Sequence, residues 1–427
     1  MPPSDLVELD VAAIGARGDG IATHDGARVF LPFTVPGDRV RARLGPRRAD
    51  GFASDVVELL QEGNARQMPA CRHFGTCGGC ALQHVGASVY AAWKRDLIVQ
   101  ALRHRGFTQV PIEACIISPP GTRRRAKLAA RQVKGRTIVG FHERVSDRIV
   151  DLAMCPVLSA PLVAAIDPIR AALGAIGLGR AEVALLDTDA GLDVVIEAKG
   201  EPGLKARQLL ADLATSMDFA RVTWARPTPP GMPRDHDLIT MRRAPVLRFG
   251  DVPVTPPPDA FVQATRDAEE VMTEFVCKSL AGAARVADLF SGCGTFAFPL
   301  ARTARVTAID GDDDPIVAAR NAAHHATNLK QIDFQTRDLF RRPLDPGELK
   351  SFDAVVFDPP RQGAKAQAEA LAASAVPKIV AVSCDPGTFA RDARILVNGG
   401  YTLARVQPID QFLWSPHVEL VAEFRRT

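Results

Sequence analysis

Arg285-Val-Ala-Asp-Leu-Phe-Ser-Gly-Cys-Gly-Thr-Phe296 is a short apolar strand running into a glycine turn, and the C-terminal part of the chain is organised around it. The turn carries G-x-G without the last glycine of G-x-G-x-x-G, so a dinucleotide fingerprint is incomplete. Two glycines still allow the backbone to approach a ligand closely. On either side the same pattern recurs. Apolar runs at 305–309, 332–335, 353–357, 378–383, 402–406 and 418–424 read as strands. Ala-rich stretches at 315–326, 365–374 and 388–396 read as the helices between them. This alternation predicts a parallel sheet with helices on both faces, with ligands beyond the carboxyl ends of the strands. Polar residues punctuate those ends in turn: the glycine loop with Phe290 and Thr295, then Asp310, Asp338, Asp358-Pro-Pro-Arg361 and Ser383-Cys384-Asp385-Pro386.

The other end of the chain has a different grammar. Residues 5–60 read as short strands separated by glycine turns, the pattern of a small OB-like β-barrel. Within them, Arg39-Val-Arg-Ala-Arg-Leu44 alternates charge and apolar residues, which puts Arg39, Arg41 and Arg43 on one strand face. That face suits RNA, and it equally suits an edge strand carrying solubilising charge. Residues 106–260 are mixed α and β, after a helical stretch at 88–105. Thr122–Arg136 holds seven basic residues and no acid, a candidate for phosphate contact. Proline-rich stretches at 226–234 and 255–258 read as loops or linkers.

Eight cysteines in 427 residues are too few for a disulfide scaffold, and three of them crowd into Cys71-x5-Cys77-x2-Cys80. Cys155-Pro156 follows far downstream. Four thiolates suit tetrahedral zinc or an iron–sulfur cubane, and the spacing leaves both open. It is not the C-x3-C-x2-C spacing of radical S-adenosylmethionine enzymes. Cys115 and Cys277 read as small buried hydrophobes.

Hydrophobic residues at 47% and charged residues at 24% describe a folded chain with sizeable cores, which excludes disorder as its main state. The net charge of +3 rules out a global basic field, so any nucleic-acid surface is local. No apolar run is long enough for a membrane span, and the start lacks the pattern of a secretory signal. A cytoplasmic location is expected.

The strand-end residues, with Phe261-Val-Gln263 and His417-Val-Glu419, make the segment resemble a class I S-adenosylmethionine-dependent methyltransferase. More narrowly, the chain resembles the RNA uracil-5 methyltransferase family over essentially its whole length, least diagnostically at 160–250. The resemblance implies a multidomain α+β chain. Residues 1–62 would form a TRAM-like OB barrel, and 63–260 a central α+β domain with an iron–sulfur site, its helix near 88–105 available to the catalytic domain. Residues 261–427 would form a Rossmann-like α/β methyltransferase domain. It implies Cys384 as nucleophile and Glu419 as base. Gln263, Phe290, Thr295, Asp310, Asp338 and Asp358 would bind S-adenosyl-L-methionine, and Cys71, Cys77, Cys80 and Cys155 would hold a [4Fe–4S] cluster. Four positions depart from the family pattern: Asp310 for Glu, Asp385 for Asn, Thr265 for Asn, and Phe412-Leu-Trp414 for Phe-Pro.

Arg361 stands where methyltransferases acting on exocyclic amines carry an aromatic residue, which favours carbon methylation. The implied substrate is RNA, with 23S rRNA first and a tRNA m5U54 activity as the alternative. An RNA cytosine-C5 methyltransferase and a non-catalytic RNA-binding assembly factor are the other readings. A monomer is expected.

Overall fold

The structure is a computed structural model describing residues 6–48, 50–229 and 235–426. Residues 230–234 of the proline-rich stretch lie outside the described residues.

The N-terminal sheet has six strands in the order Leu6–Asp10, Arg39–Arg48, Gly51–Gln61, Ala27–Leu31, Gly20–His24, Ala13–Ile14. It folds back on itself: Leu9, Val11, Ala22, Val29, Leu31, Val40 and Ala42, drawn from both ends of that order, share one apolar core. The alternation in Arg39–Arg48 buries Val40 and Ala42 and turns the arginines outward. Arg39 and Arg41 meet acids there. Glu8, on the neighbouring strand, lies 3.0 Å from each, and Arg41 also pairs with Glu58. Of the three arginines expected to face RNA, Arg43 is exposed and makes no such ion pair among the described residues.

The central sheet runs His236–Met241, Arg221–Ala225, Gly191–Ala198, Arg180–Thr188, Arg125–Val133, Arg136–Gly140, with the helices Ala160–Ile176 and Leu204–Ser216 packed on it. The basic stretch at 122–136 contributes one of its strands. Its local lack of acid is made up from elsewhere: Arg124 is buried against Glu269 at 2.5 Å, Lys127 reaches Glu182 at 2.5 Å, and Arg136 reaches Asp151 at 2.8 Å. Arg124 is therefore a core ion pair rather than a phosphate ligand.

The C-terminal sheet has eight strands in the order Ile332–Thr336, Arg305–Asp310, Arg285–Leu289, Ala354–Phe357, Lys378–Ser383, Glu419–Arg426, Tyr401–Asp410, Ile116–Ile117. The first five are parallel, and Glu419–Arg426 is antiparallel to both of its neighbours. Strands such as Lys378–Ser383 are buried on both faces, which is why they read as unbroken apolar runs. The helix Pro386–Asn398 begins at Asp385, whose side chain accepts from Thr388 N at 2.8 Å, with proline in the first turn. Thr265 caps Arg266–Ser279 in the same way.

Two N-terminal pieces belong physically to this layer. The short strand Ile116–Ile117 extends the sheet beside Tyr401–Asp410. The helix Ala87–His104 packs on Pro386–Asn398, and its Ile98 and Leu102 sit fully buried in the same core as Phe389 and Phe424. Two such side chains contribute about 3–6 kcal/mol together, enough to dock the helix firmly. The hairpin Leu247–Phe249 and Val252–Val254 likewise packs against Phe298 and Ala319.

Candidate active site

A cavity of about 1750 Å³ opens beyond the carboxyl ends of the parallel strands and extends to the cysteine segment. The twelve residues that the resemblance assigns to catalysis, cofactor and cluster all line it. At one end is the glycine turn. Phe290 adopts φ +62° and Gly294 φ +94°, and a Cβ on Gly294 would fall 2.6 Å from the Phe298 ring. The turn can close only with glycine there. The Phe290 ring packs at 5.3 Å from Phe340 to make one wall. The Asp310 carboxylate accepts from Gly292 N at 2.8 Å and Asp312 N at 2.9 Å, tying the turn to the next strand end. Asp338 accepts from Phe340 N at 3.0 Å and holds the wall in place. Ser291 Oγ is buried without a partner, and Ser291 and Thr295 both line the cavity. A cleft with an aromatic wall, a close-approach backbone and carboxylates at successive strand ends fits a nucleoside with ribose hydroxyls.

The middle of the cavity holds the reactive groups. Ser383 lies opposite Leu420 across the antiparallel pair, so Cys384 and Glu419 sit side by side at one sheet edge. Antiparallel pairing makes the start of one strand meet the end of the other. Asp358 arrives from the next strand. Glu419 is buried and Asp358 partly so, and burial and the repulsion from Asp358 push the Glu419 carboxyl well up. Burial raises Asp358 to about 7 against the pull of the Gln263 amide. Burial, then Glu419 and Asp358, push the Cys384 thiol up to about 11, while Arg361 pulls it down. Arg361 is held from the other side by His417, with Nη2 and Nε2 2.9 Å apart.

Sequence reasoning missed the supports of this centre. Gln411 bonds to both Gln263 and Glu419. Lys94, buried in Ala87–His104, donates to Asp410 Oδ1 at 2.8 Å and to the His417 carbonyl. Tyr90 donates to the other Asp410 oxygen at 2.5 Å and accepts from Trp414 N at 2.7 Å. These bonds pin both ends of the 411–418 loop that leads into Glu419. The signal was faint: Tyr90, Lys94 and Ile98 recur every four residues, placing a lysine on the helix's buried face.

At the far end Cys71, Cys77, Cys80 and Cys155 line the cavity as free thiols. Gly79 N lies 3.5 Å from Cys77 Sγ. Burial pushes the Cys77 and Cys155 thiols up and takes Cys80 to about 12. Among the described residues, no three His, Cys, Asp or Glu side chains are closed into a ligand set for one metal ion. Arg123 and Arg125 line the cavity between the cysteines and the reactive centre, over the rings of Phe412 and the exposed Phe261 respectively.

Comparison with known proteins places this geometry. Residues 254–424 match the family model described as tRNA (uracil-5-)-methyltransferase. A protein of Brucella suis biovar 1 named an uncharacterized RNA methyltransferase is 42% identical, covering 99% of this chain and 98% of the relative. The 23S rRNA (uracil(1939)-C(5))-methyltransferase RlmD of Halomonas elongata is 31% identical, over 96% of this chain and 88% of that protein. Among solved structures, the Pyrococcus abyssi tRNA (uracil-54, C5)-methyltransferase in complex with S-adenosyl-L-homocysteine superposes with TM-score 0.76 at 24% identity. That likeness covers 98% of this chain and all of the other, and it establishes a shared fold.

Proposed function

Since the chain belongs to the RNA (uracil-5-)-methyltransferase family, we propose that it methylates C5 of a uridine in 23S rRNA through a covalent Cys384 adduct. The observation that carries this reading is the pairing of a cavity-lining thiol, Cys384, with a buried carboxyl, Glu419, at one sheet edge. Uracil C5 is a poor nucleophile. The Cys384 thiolate adds to C6, and the ring electrons move toward O4 to give an enolate whose C5 is nucleophilic. S-adenosyl-L-methionine supplies the electrophilic methyl. Glu419 then takes the C5 proton, the C5–C6 double bond re-forms, and the C6–S pair returns to Cys384. Arg361 favours the thiolate by charge.

Gln263, Phe290, Thr295, Asp310, Asp338 and Asp358 are the residues placed to hold the cofactor: Asp310 at a strand end for ribose, the Phe290 wall for the adenine face. Arg123, Arg125 and Phe261 line the approach to the centre with charge and an aromatic surface, as a base flipped out of RNA requires. The four cysteines are the residues that would hold a [4Fe–4S] cluster: four free thiols line one end of a single cavity, and Gly75 leaves open space beside them. There the cluster would fasten the 71–80 segment to Cys155, and no catalytic step passes through it. Protein purified without air should be brown with about four irons per chain. A colourless protein with one zinc overturns that assignment.

A cytoplasmic monomer is the reading that goes with an RNA substrate. Among the described residues no helix is long and apolar enough to cross a membrane. The deciding experiment is a pair of variants. Glu419→Gln should accumulate a denaturation-resistant complex with methylated RNA, and Cys384→Ala should form none. Mapping m5U in RNA from cells lacking the protein tests the target: a missing mark in tRNA instead of 23S rRNA replaces the rRNA assignment.

A further inference from the structure

A chain of amides joins the two carboxyls of the cleft, and the backbone sets its direction. The Ala264 N–H donates to Gln411 Oε1 at 2.6 Å. With that oxygen committed, the Gln411 nitrogen must face the other way. It donates to Gln263 Oε1 at 2.7 Å and to Glu419 Oε2 at 2.8 Å. Gln263, its oxygen now taken, turns its own nitrogen to Asp358 Oδ2 at 3.0 Å. Both carboxyls thus receive an N–H, and the amide orientation follows from a backbone donor that cannot reverse. Gln411 is 2% exposed and lies behind the cavity wall, out of reach of a bound base. Its two amide protons are both used.

We infer that Gln411 is a positioning residue that aims Glu419 at the substrate and favours its proton-accepting form, so that the proton can leave C5. This rests on Glu419 being the base. Among the described residues no cation is bonded to Glu419 and the Gln411 N–H is the hydrogen bond it accepts, which opposes burial and the repulsion from Asp358, with Arg361 helping by charge. A carboxylate that loses its donor in a buried site holds its proton more tightly and becomes a worse acceptor at neutral pH. The step served is the last one. The C5–H pair becomes the C5–C6 π bond, the C6–S pair leaves on Cys384, and the proton ends on Glu419.

The test isolates that step. Total RNA from cells lacking the enzyme carries the unmodified target whichever RNA it is. Enzyme, this RNA and methyl-labelled cofactor are mixed, and decay of the labelled covalent adduct is followed after rapid mixing between pH 6 and 9. Cys384 is already bonded, so its own titration does not enter. Gln411→Met keeps the volume and removes the donor. It should slow adduct decay at pH 7 by about 10- to 100-fold, with the rate recovering as pH rises, since a hydrogen bond to a charged group is being lost. Gln411→Leu also removes the donor, and should show the same slowing if the Met variant folds poorly. Wild-type decay with an unshifted pH profile in a folded variant overturns the inference. Wild-type decay in Glu419→Gln overturns the assignment of the base instead, and the two failures are thereby distinct.

Discussion

Replacing Lys94 by Met tests whether the helix Ala87–His104 truly holds the loop before Glu419. Lys94 and Asp410 are both wholly buried, with Nζ and Oδ1 2.8 Å apart. Removing the ammonium leaves a buried carboxylate with two remaining donors, the Tyr90 hydroxyl at 2.5 Å and Phe412 N at 3.1 Å. Breaking a buried pair from one side costs about 3–5 kcal/mol, and those two donors put this site at the low end, about 3 kcal/mol. In a chain of 427 residues, with an unfolding entropy of about 2.1 cal/mol/K per residue, that lowers the melting temperature by about 3 °C. Neutralising both sides with Lys94→Met plus Asp410→Asn removes the stranded charge, so the double variant should recover about half of the loss. Thermal unfolding of the four proteins of the cycle measures this, and turnover on RNA reads the local effect. Because the lysine also donates to the His417 carbonyl, turnover of the single variant should fall more than cofactor affinity. A single variant within 1 °C of wild type, or a double variant whose loss is the sum of the two singles, would refute the view that the pair acts as a coupled anchor.

Three further outcomes follow from the site. The Cys384 thiol titrates at about 11, so kcat/KM should rise about tenfold per pH unit between pH 7 and 9; a flat profile would mean that the thiol does not limit the reaction. Asp358 titrates at about 7 in the folded chain and at about 4 unfolded; the folded state holds the proton more tightly, so stability from this group is complete below pH 4 and is lost as pH rises through 7. Asp358→Asn should therefore flatten the fall in unfolding free energy between pH 5 and 8, and an unchanged fall counts against it. On the N-terminal sheet, Arg43→Ala with Arg47→Ala should reduce the salt dependence of RNA binding by a slope of about 1 to 2, while Arg39→Ala with Arg41→Ala should change it little, since Glu8 and Glu58 already occupy those arginines. Equal effects of the two pairs would show that the internal ion pairs open when RNA binds.

The strand–helix alternation from residue 285 onward, the glycine turn, and the polar residues at successive strand ends were legible in the sequence, because periodicity, capping and turn chemistry are local. Asp385 could be placed at a helix start from Asp-Pro alone. The meeting of Cys384 and Glu419 was legible only on the condition that the last strand runs antiparallel, and strand direction is a property of the sheet. What sequence could not supply were partners that arrive from far away. Arg39, Arg41 and Arg124 look like free cations in any local window, yet their acids come from other strands and from the helix Arg266–Ser279. Lys94 meets Asp410 across 316 residues, and Gln411 meets Ala264 across 147. A buried charge or amide is satisfied by whatever donor the fold brings within about 3 Å. Local order thus determined the residues offered at the strand ends; tertiary packing decided which charges remain available to RNA and how the carboxyl at the centre is held.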